Sequence, residues 1–112
     1  MPKPSRESLM AALSAAEHLV SLSPTMPYSV EVDPRSEFDG AIGVALYFHR
    51  NLPGLVEFAG AMGVETSARP HGDGTQVHTS AQGELAGVPF LGWVLEAAPR
   101  VSLVREPLSG AA

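Results

Sequence analysis

Cysteine is absent from this 112-residue chain. Disulfide staples and thiolate metal sites are thereby excluded, and the redox compartment is left open. Positive charge is scarce: 7 Lys and Arg stand against 12 Asp and Glu, and Lys3 is the sole lysine. With a formal charge of -5, the chain lacks the basic footprint by which nucleic-acid binders neutralise phosphates. No apolar run approaches the ~18 residues of a membrane span. The residues after the first few mix Ala, Ser, Glu and His, where a secretory signal needs an uninterrupted apolar segment. Neither nucleic acid nor membrane is expected as a partner, and the cytoplasm is the expected location.

What is present suits one α+β domain over residues 1–112, with an ordered core at about 5–104. The clearest stretch is 41–64. Ile42, Val44, Leu46 and Phe48 alternate with Ala41, Gly43, Ala45 and Tyr47, a period of two that reads as a strand with its heavier side buried. After His49 and Arg50, Asn51 is placed to cap a helix, and Pro53 sits in the first turn, where its missing N–H costs nothing. Leu55, Val56, Phe58, Ala59 and Met62 then recur at helical spacing, and Gly63 supplies the left-handed residue that ends the helix.

An earlier helix starts at Pro4 or Ser5 and runs to about Leu22. Leu9, Leu13, Ala16 and Val20 are its expected core face, widened by Ala12 and Leu19. Ser23-Pro24 stops it. A short strand carries Tyr28, Val30 and Val32, and residues 33–40 are dense in turn formers. Strands follow at 64–69, 75–84 and 88–96. Residues 101–104 read as an edge strand or a packed tail, and 107–112 as disordered. The expected order is α-β-β-α-β-β-β, a mostly antiparallel sheet of four to five strands with two helices on one face.

The last two hairpins can be tested for register. Pairing Pro70 with Thr75 puts Val64, Thr66, Ala68, Val77, Thr79 and Ala81 on one face and Arg69, His78 and Ser80 on the other. A two-residue turn at Ala86-Gly87 pairs Leu85 with Val88 and extends the apolar face with Phe90, Gly92 and Val94. It also lands Leu91, Trp93 and Leu95 on the polar face beside His78. Such a stripe calls for a cover: a second subunit, a partner, or the chain's own residues 101–103. A three-residue turn would flip the fifth strand and bury Trp93.

Tyr47-Phe48-His49, the helix with Val56, Phe58 and Ala59, Gly63-Val64, His71, Val77-His78-Thr79, Gly87-Val88 and Trp93 together resemble small uncharacterised α+β proteins of high-GC Gram-positive bacteria and their mobile elements. The resemblance spans about 41–95 and implies a fold and a bacterial or phage origin. It carries no activity.

Chemical motifs are few. His71-Gly72-Asp73-Gly74 reads as a hairpin turn, because His78 lies ~10 Å down the strand at ~3.3 Å per residue. Ligands of one metal ion cannot be that far apart. No phosphate loop, dinucleotide fingerprint, HExxH or G-x-S-x-G occurs, and Glu57 and Glu65 have no carboxylate partner for acid–base work. No catalytic residue, cofactor or metal is expected. The favoured function is a non-catalytic protein-interaction or assembly module, acting through a sheet face or edge, with a protein partner or with itself. Its interface candidates are Leu91, Trp93, Leu95 and His78. One alternative is a small-molecule or anion-binding protein using the strand-to-helix corner at His49 and Arg50, since helix N-termini favour anions. Another is a mobile-element inhibitor of a host protein.

Overall fold

The computed structural model describes residues 4–98. The expected segments at 101–104 and 107–112 lie outside them. The elements are α1 (Arg6–Leu22), β1 (Ser29–Pro34), a short 3-10 turn (Ser36–Phe38), β2 (Ile42–Tyr47), α2 (Leu52–Met62), β3 (Thr66–His71), β4 (Gln76–Leu85) and β5 (Val88–Ala97). The chain is α+β in the expected order. Its five strands lie as β1-β2-β5-β4-β3.

The sheet is mixed, which corrects the expectation of a mostly antiparallel one. β5 inserts between β2 and β4, antiparallel to β4 but parallel to β2, with Val44 opposite Phe90 and Tyr47 opposite Trp93. The strand that follows α2 does not return beside β2. It goes instead to the far edge as β3.

Local chemistry sets the helix ends. Ser5 caps α1 in a reciprocal capping box with Ser8, which satisfies two otherwise orphaned N–H groups. The Asn51 side chain accepts from Gly54 N–H at 3.0 Å at the head of α2, and Gly63 closes that helix at φ +71°, a conformation that costs glycine no Cβ clash.

Both helices cover the same sheet face, over a core that includes Val44, Leu46, Phe48, Phe58, Phe90 and Val94. α2 lies over β5 and β4, and α1 lies over β2 and β1. Phe58 bridges the two halves, its ring centre 5.6 Å from that of Phe48 and 5.6 Å from that of Phe90. Gly92 makes this docking possible: a methyl group there would stand 3.0 Å from both Leu55 and Phe58.

α1 keeps only part of its expected face, Ala12, Ala16 and Leu19, and adds Ala15. Leu9, Leu13 and Val20 remain 40%, 50% and 37% exposed. At 3.6 residues per turn the helix is rotated by about a quarter turn from the face with the larger side chains. The alanine face allows a close approach to the sheet that three branched side chains would prevent.

The β4–β5 register is Leu85 opposite Val88, and the turn between them holds Ala86 at φ +52° and Gly87 at φ +81°. Two successive positive φ values define the tight turn that matches strand twist. The β3–β4 register is displaced by two residues from the expected one, with His71 opposite Gln76. An even shift leaves every side chain on its expected face.

Two stability predictions follow from this packing. Phe58→Ala should destabilise the chain by about 3–5 kcal/mol in urea unfolding, as truncation of a buried aromatic does; a loss below ~1 kcal/mol would misplace the α2 face. Ala86→Asn should raise the urea midpoint by an amount equivalent to about 0.5–1 kcal/mol, because Asn tolerates the left-handed conformation that alanine resists. An unchanged midpoint would show that the turn is not strained.

Candidate functional site

The second face of the sheet carries no helix. Alternation along the strands puts Glu31 and Asp33 of β1, Gly43, Ala45 and Tyr47 of β2, Leu91, Trp93 and Leu95 of β5, and His78, Ser80 and Gln82 of β4 on this side. The four interface candidates thus share one face, as the register argument required.

They do not share one environment. Leu91 is only 2% exposed, while Trp93, Leu95 and His78 are half-buried. Part of the cover over this face is the connection between β1 and β2. Phe38 is buried, and a methyl group on Gly43 would lie 2.5 Å from its ring, so the ring rests directly on β2 backbone. Glu37, one residue before, is close enough to His78 to feel its charge. The turn therefore reaches from β2 toward β4 across the row of Ala45, Leu91 and Gln82. Between the turn and β4 runs an open cleft of about 500 Å³, lined by Glu37, Phe38, Gln82, Glu84 and Pro89 among others. Arg35 anchors the turn, reaching Glu31 at 3.4 Å, Glu37 at 3.3 Å and Asp33 at 3.8 Å.

Beyond the turn the face is aromatic. Trp93 lies with its ring centre 4.4 Å from that of Tyr47 at 33°, and 5.6 Å from that of His78 at 13°. At 4.4 Å two rings must be face to face, because coplanar rings would overlap. The indole is flanked by a ring on each side. The row continues from His78 to His71 at 6.3 Å, and from Tyr47 to His49 at 5.6 Å and Tyr28 at 5.8 Å. Tyr47 hydroxyl and His49 Nδ1 share a hydrogen bond of 2.7 Å.

This arrangement joins His49, an alternative site in the sequence reading, to the interface candidates. Tyr47, Tyr28 and His71 were not among the sequence candidates. The signal for Tyr47 was the parallel pairing of β2 with β5, which no local pattern announces. His71, which the sequence places in a turn, is the last residue of β3.

The corner at His49 and Arg50 is exposed, with Arg50 at φ +50°. Its N-terminal donors already have partners. Leu52 N–H donates to Glu96 Oε2 at 3.3 Å, and Gly54 N–H to Asn51. A carboxylate of the chain itself holds the place an external anion would take. Arg50 lines a depression of about 510 Å³ with Gln76, Leu95, Glu96 and Ala97. Among the described residues, no group of three or more His, Asp or Glu is placed to hold a metal ion. No described helix is long and apolar enough to cross a membrane.

His78 is the unusual titratable group of the face. Burial pushes its pKa below the ordinary 6.5, Arg69 and His71 push the same way, and Glu37 opposes them. Its Nδ1 is buried without a hydrogen-bond partner among the described residues. The Glu37 carboxyl is itself held below its usual range, first by a hydrogen bond with its own backbone, against the opposing effect of burial, and then by Arg35.

A histidine whose folded pKa is lowered binds its proton more readily in the unfolded chain. Its contribution is complete above the unfolded value and falls as pH drops through the unfolded toward the folded one. Between about pH 7 and pH 5, where Glu37 and Asp73 with their lowered values remain charged, the urea midpoint should decline. His78→Gln should flatten that decline. An equal decline in both proteins would assign the effect to other groups.

No protein-family model matches the chain, and no curated protein and no solved structure matches it either.

Proposed function

We propose that this chain is a non-catalytic protein-interaction module acting through the helix-free sheet face. The observation that carries the reading is the stack of Tyr47, Trp93 and His78. Sugars and nucleobases dock on aromatic surfaces by lying on a free ring face. Here the indole is flanked by neighbouring rings, which leaves its edge and its N–H for a partner. Surfaces of this kind suit another protein, since Trp and Tyr dominate interface energetics and rings already locked together lose little rotamer freedom on binding. The net charge of -5 agrees with a protein partner rather than a phosphate backbone.

The anion-binding alternative is less well supported, because Glu96 and Asn51 already engage the α2 N-terminus. The bacterial or phage origin suggested by the resemblance over residues 41–95 would make the partner a bacterial protein.

Affinity capture from source cells tests the reading. A protein retained by the native chain and by Arg50→Ala, and lost with Trp93→Ala and Tyr47→Ala while the far-ultraviolet spectrum is unchanged, is the expected outcome. The single tryptophan gives a second readout, a shift in its emission when the captured protein is added. Capture indifferent to both aromatic substitutions would remove this face from consideration.

A further inference from the structure

His78 occupies the middle of the aromatic row. Its ring lies almost parallel to the Trp93 indole, at 13° and 5.6 Å, and the His71 ring follows on its other side at 29° and 6.3 Å. Tyr47, His78 and Trp93 come from β2, β4 and β5, and β5 runs between the other two. The indole therefore stands between Tyr47 and His78, and His78 closes the side that Tyr47 leaves. The imidazole is half-buried, within reach of solvent protons. Its Nδ1, however, is fully buried with no hydrogen-bond partner among the described residues.

Such a slot suits the neutral ring. A neutral imidazole carries one proton, can hold it on Nε2, and leaves Nδ1 a bare lone pair. A second proton turns Nδ1 into a charged donor with nothing to donate to, which is costly to bury. The neighbours add to that cost. On β3, Arg69 is directly opposite His78 and His71 is diagonal to it, and both push against a positive charge there. β5 presents Leu95 directly opposite and Trp93 diagonally, neither of them ionisable. β4 itself carries Gln76 and Ser80 on this face. The opposing charge comes from the β1–β2 connection, where the exposed Glu37 carboxylate favours the protonated ring. An indole face also attracts a cation, but it cannot supply the acceptor that Nδ1 lacks.

We propose that His78 is a proton-operated cover of the Trp93 indole: neutral, it lies flat on the ring and closes that side; protonated, it swings out of its slot toward Glu37 and solvent and leaves that side open. The charged ring has a carboxylate to go to, because Arg35 holds Glu37 at 3.3 Å. The sheet need not move with it, since the pairing of β4 with β3 and β5 is made by the backbone. Burial, Arg69 and His71 hold the histidine below its ordinary 6.5, so the cover stays closed at neutral pH and opens only in acid. The regulatory consequence rests on the reading of this face as a docking surface. A partner meets the indole edge and N–H near neutral pH, and a free ring face in acid, so one site presents two different surfaces.

The isolated chain tests this without a partner. Trp93 is the single tryptophan, so quenching of its emission by acrylamide, a neutral probe, reads the cover directly. Between about pH 7.5 and about pH 4.5, the Stern–Volmer constant of the native chain should rise about twofold, as one of the two flanking rings leaves, with the far-ultraviolet spectrum unchanged. His78→Phe keeps on the indole a ring that takes no proton, and should hold the constant at its neutral-pH value throughout. Glu37→Gln removes the receiving carboxylate and should move the rise to lower pH. His71→Gln and His49→Gln should both keep the rise. A constant indifferent to pH overturns the proposal, and so does an equal rise in His78→Phe. Emission that dims in acid while the acrylamide constant stays fixed would show an imidazolium remaining on the indole, and overturns it as well. If acid unfolds the chain, the comparison is made at the lowest pH with a native spectrum, where the native chain and His78→Phe must still differ. The result stands apart from affinity capture: the cover can fail while capture still depends on Trp93, and capture can fail while the cover still opens.

Discussion

The insertion of β5 between β2 and β4 is the constraint on which the rest of the molecule depends. It pairs parallel with β2 on one side and antiparallel with β4 on the other. Its two faces serve different ends. Toward the helices, Phe90 and Val94 enter the core, and Gly92 leaves the gap into which Leu55 and Phe58 descend. Away from the helices, Leu91 and Trp93 define the surface that the β1–β2 connection partly roofs. A side chain at Gly92 would crowd Leu55 and Phe58 and disturb the packing around Phe58, which ties the Phe48 half of the core to the Phe90 half.

The division of the helix-free face has a simple physical origin. Gly43 has no side chain, so Phe38 can rest on β2 backbone, and Arg35 draws together three carboxylates that would otherwise repel one another. These ion pairs are partly exposed and individually weak. Their effect is on position more than on stability: they hold the turn where it shields Leu91 and leaves Trp93 half-open. The aromatic row then follows from strand spacing, since rings on neighbouring strands fall within stacking distance when their register brings them opposite or diagonal.

Features set by a few neighbouring residues were legible in the sequence. Asn51 and Gly63 mark the ends of α2 because capping is a local hydrogen-bond problem. Ala86-Gly87 fixes the β4–β5 register because a two-residue turn permits only one. Features set by distant partners were not. No pattern in residues 42–47 states that their second neighbour is a strand more than forty residues later, which is why Tyr47 was not read as a companion of Trp93. The face of α1 was misjudged for a related reason. Periodicity centres the face on Leu9, Leu13 and Val20, while packing centres it on Ala12, Ala15, Ala16 and Leu19, about a quarter turn away. The corner at His49 and Arg50 was recognisable as a helix N-terminus, but the carboxylate that fills it comes from Glu96, on another strand.

The parallel pairing of β2 with β5 also orders events as the chain leaves the ribosome. α1, β1 and β2 emerge first and can form a hairpin with a helix across it. Their half of the core is then open along the β2 edge, and Val44, Leu46 and Phe48 remain without the α2 ring and the central strand that cover them. All of α2, β3 and β4 must be synthesised before β5 arrives to close the gap. Non-local closure of this kind slows folding and leaves an unpaired strand edge during synthesis. The nascent chain thus has a period in which chaperones, or a neighbouring nascent copy on the same messenger, have access to β2 that the finished protein denies.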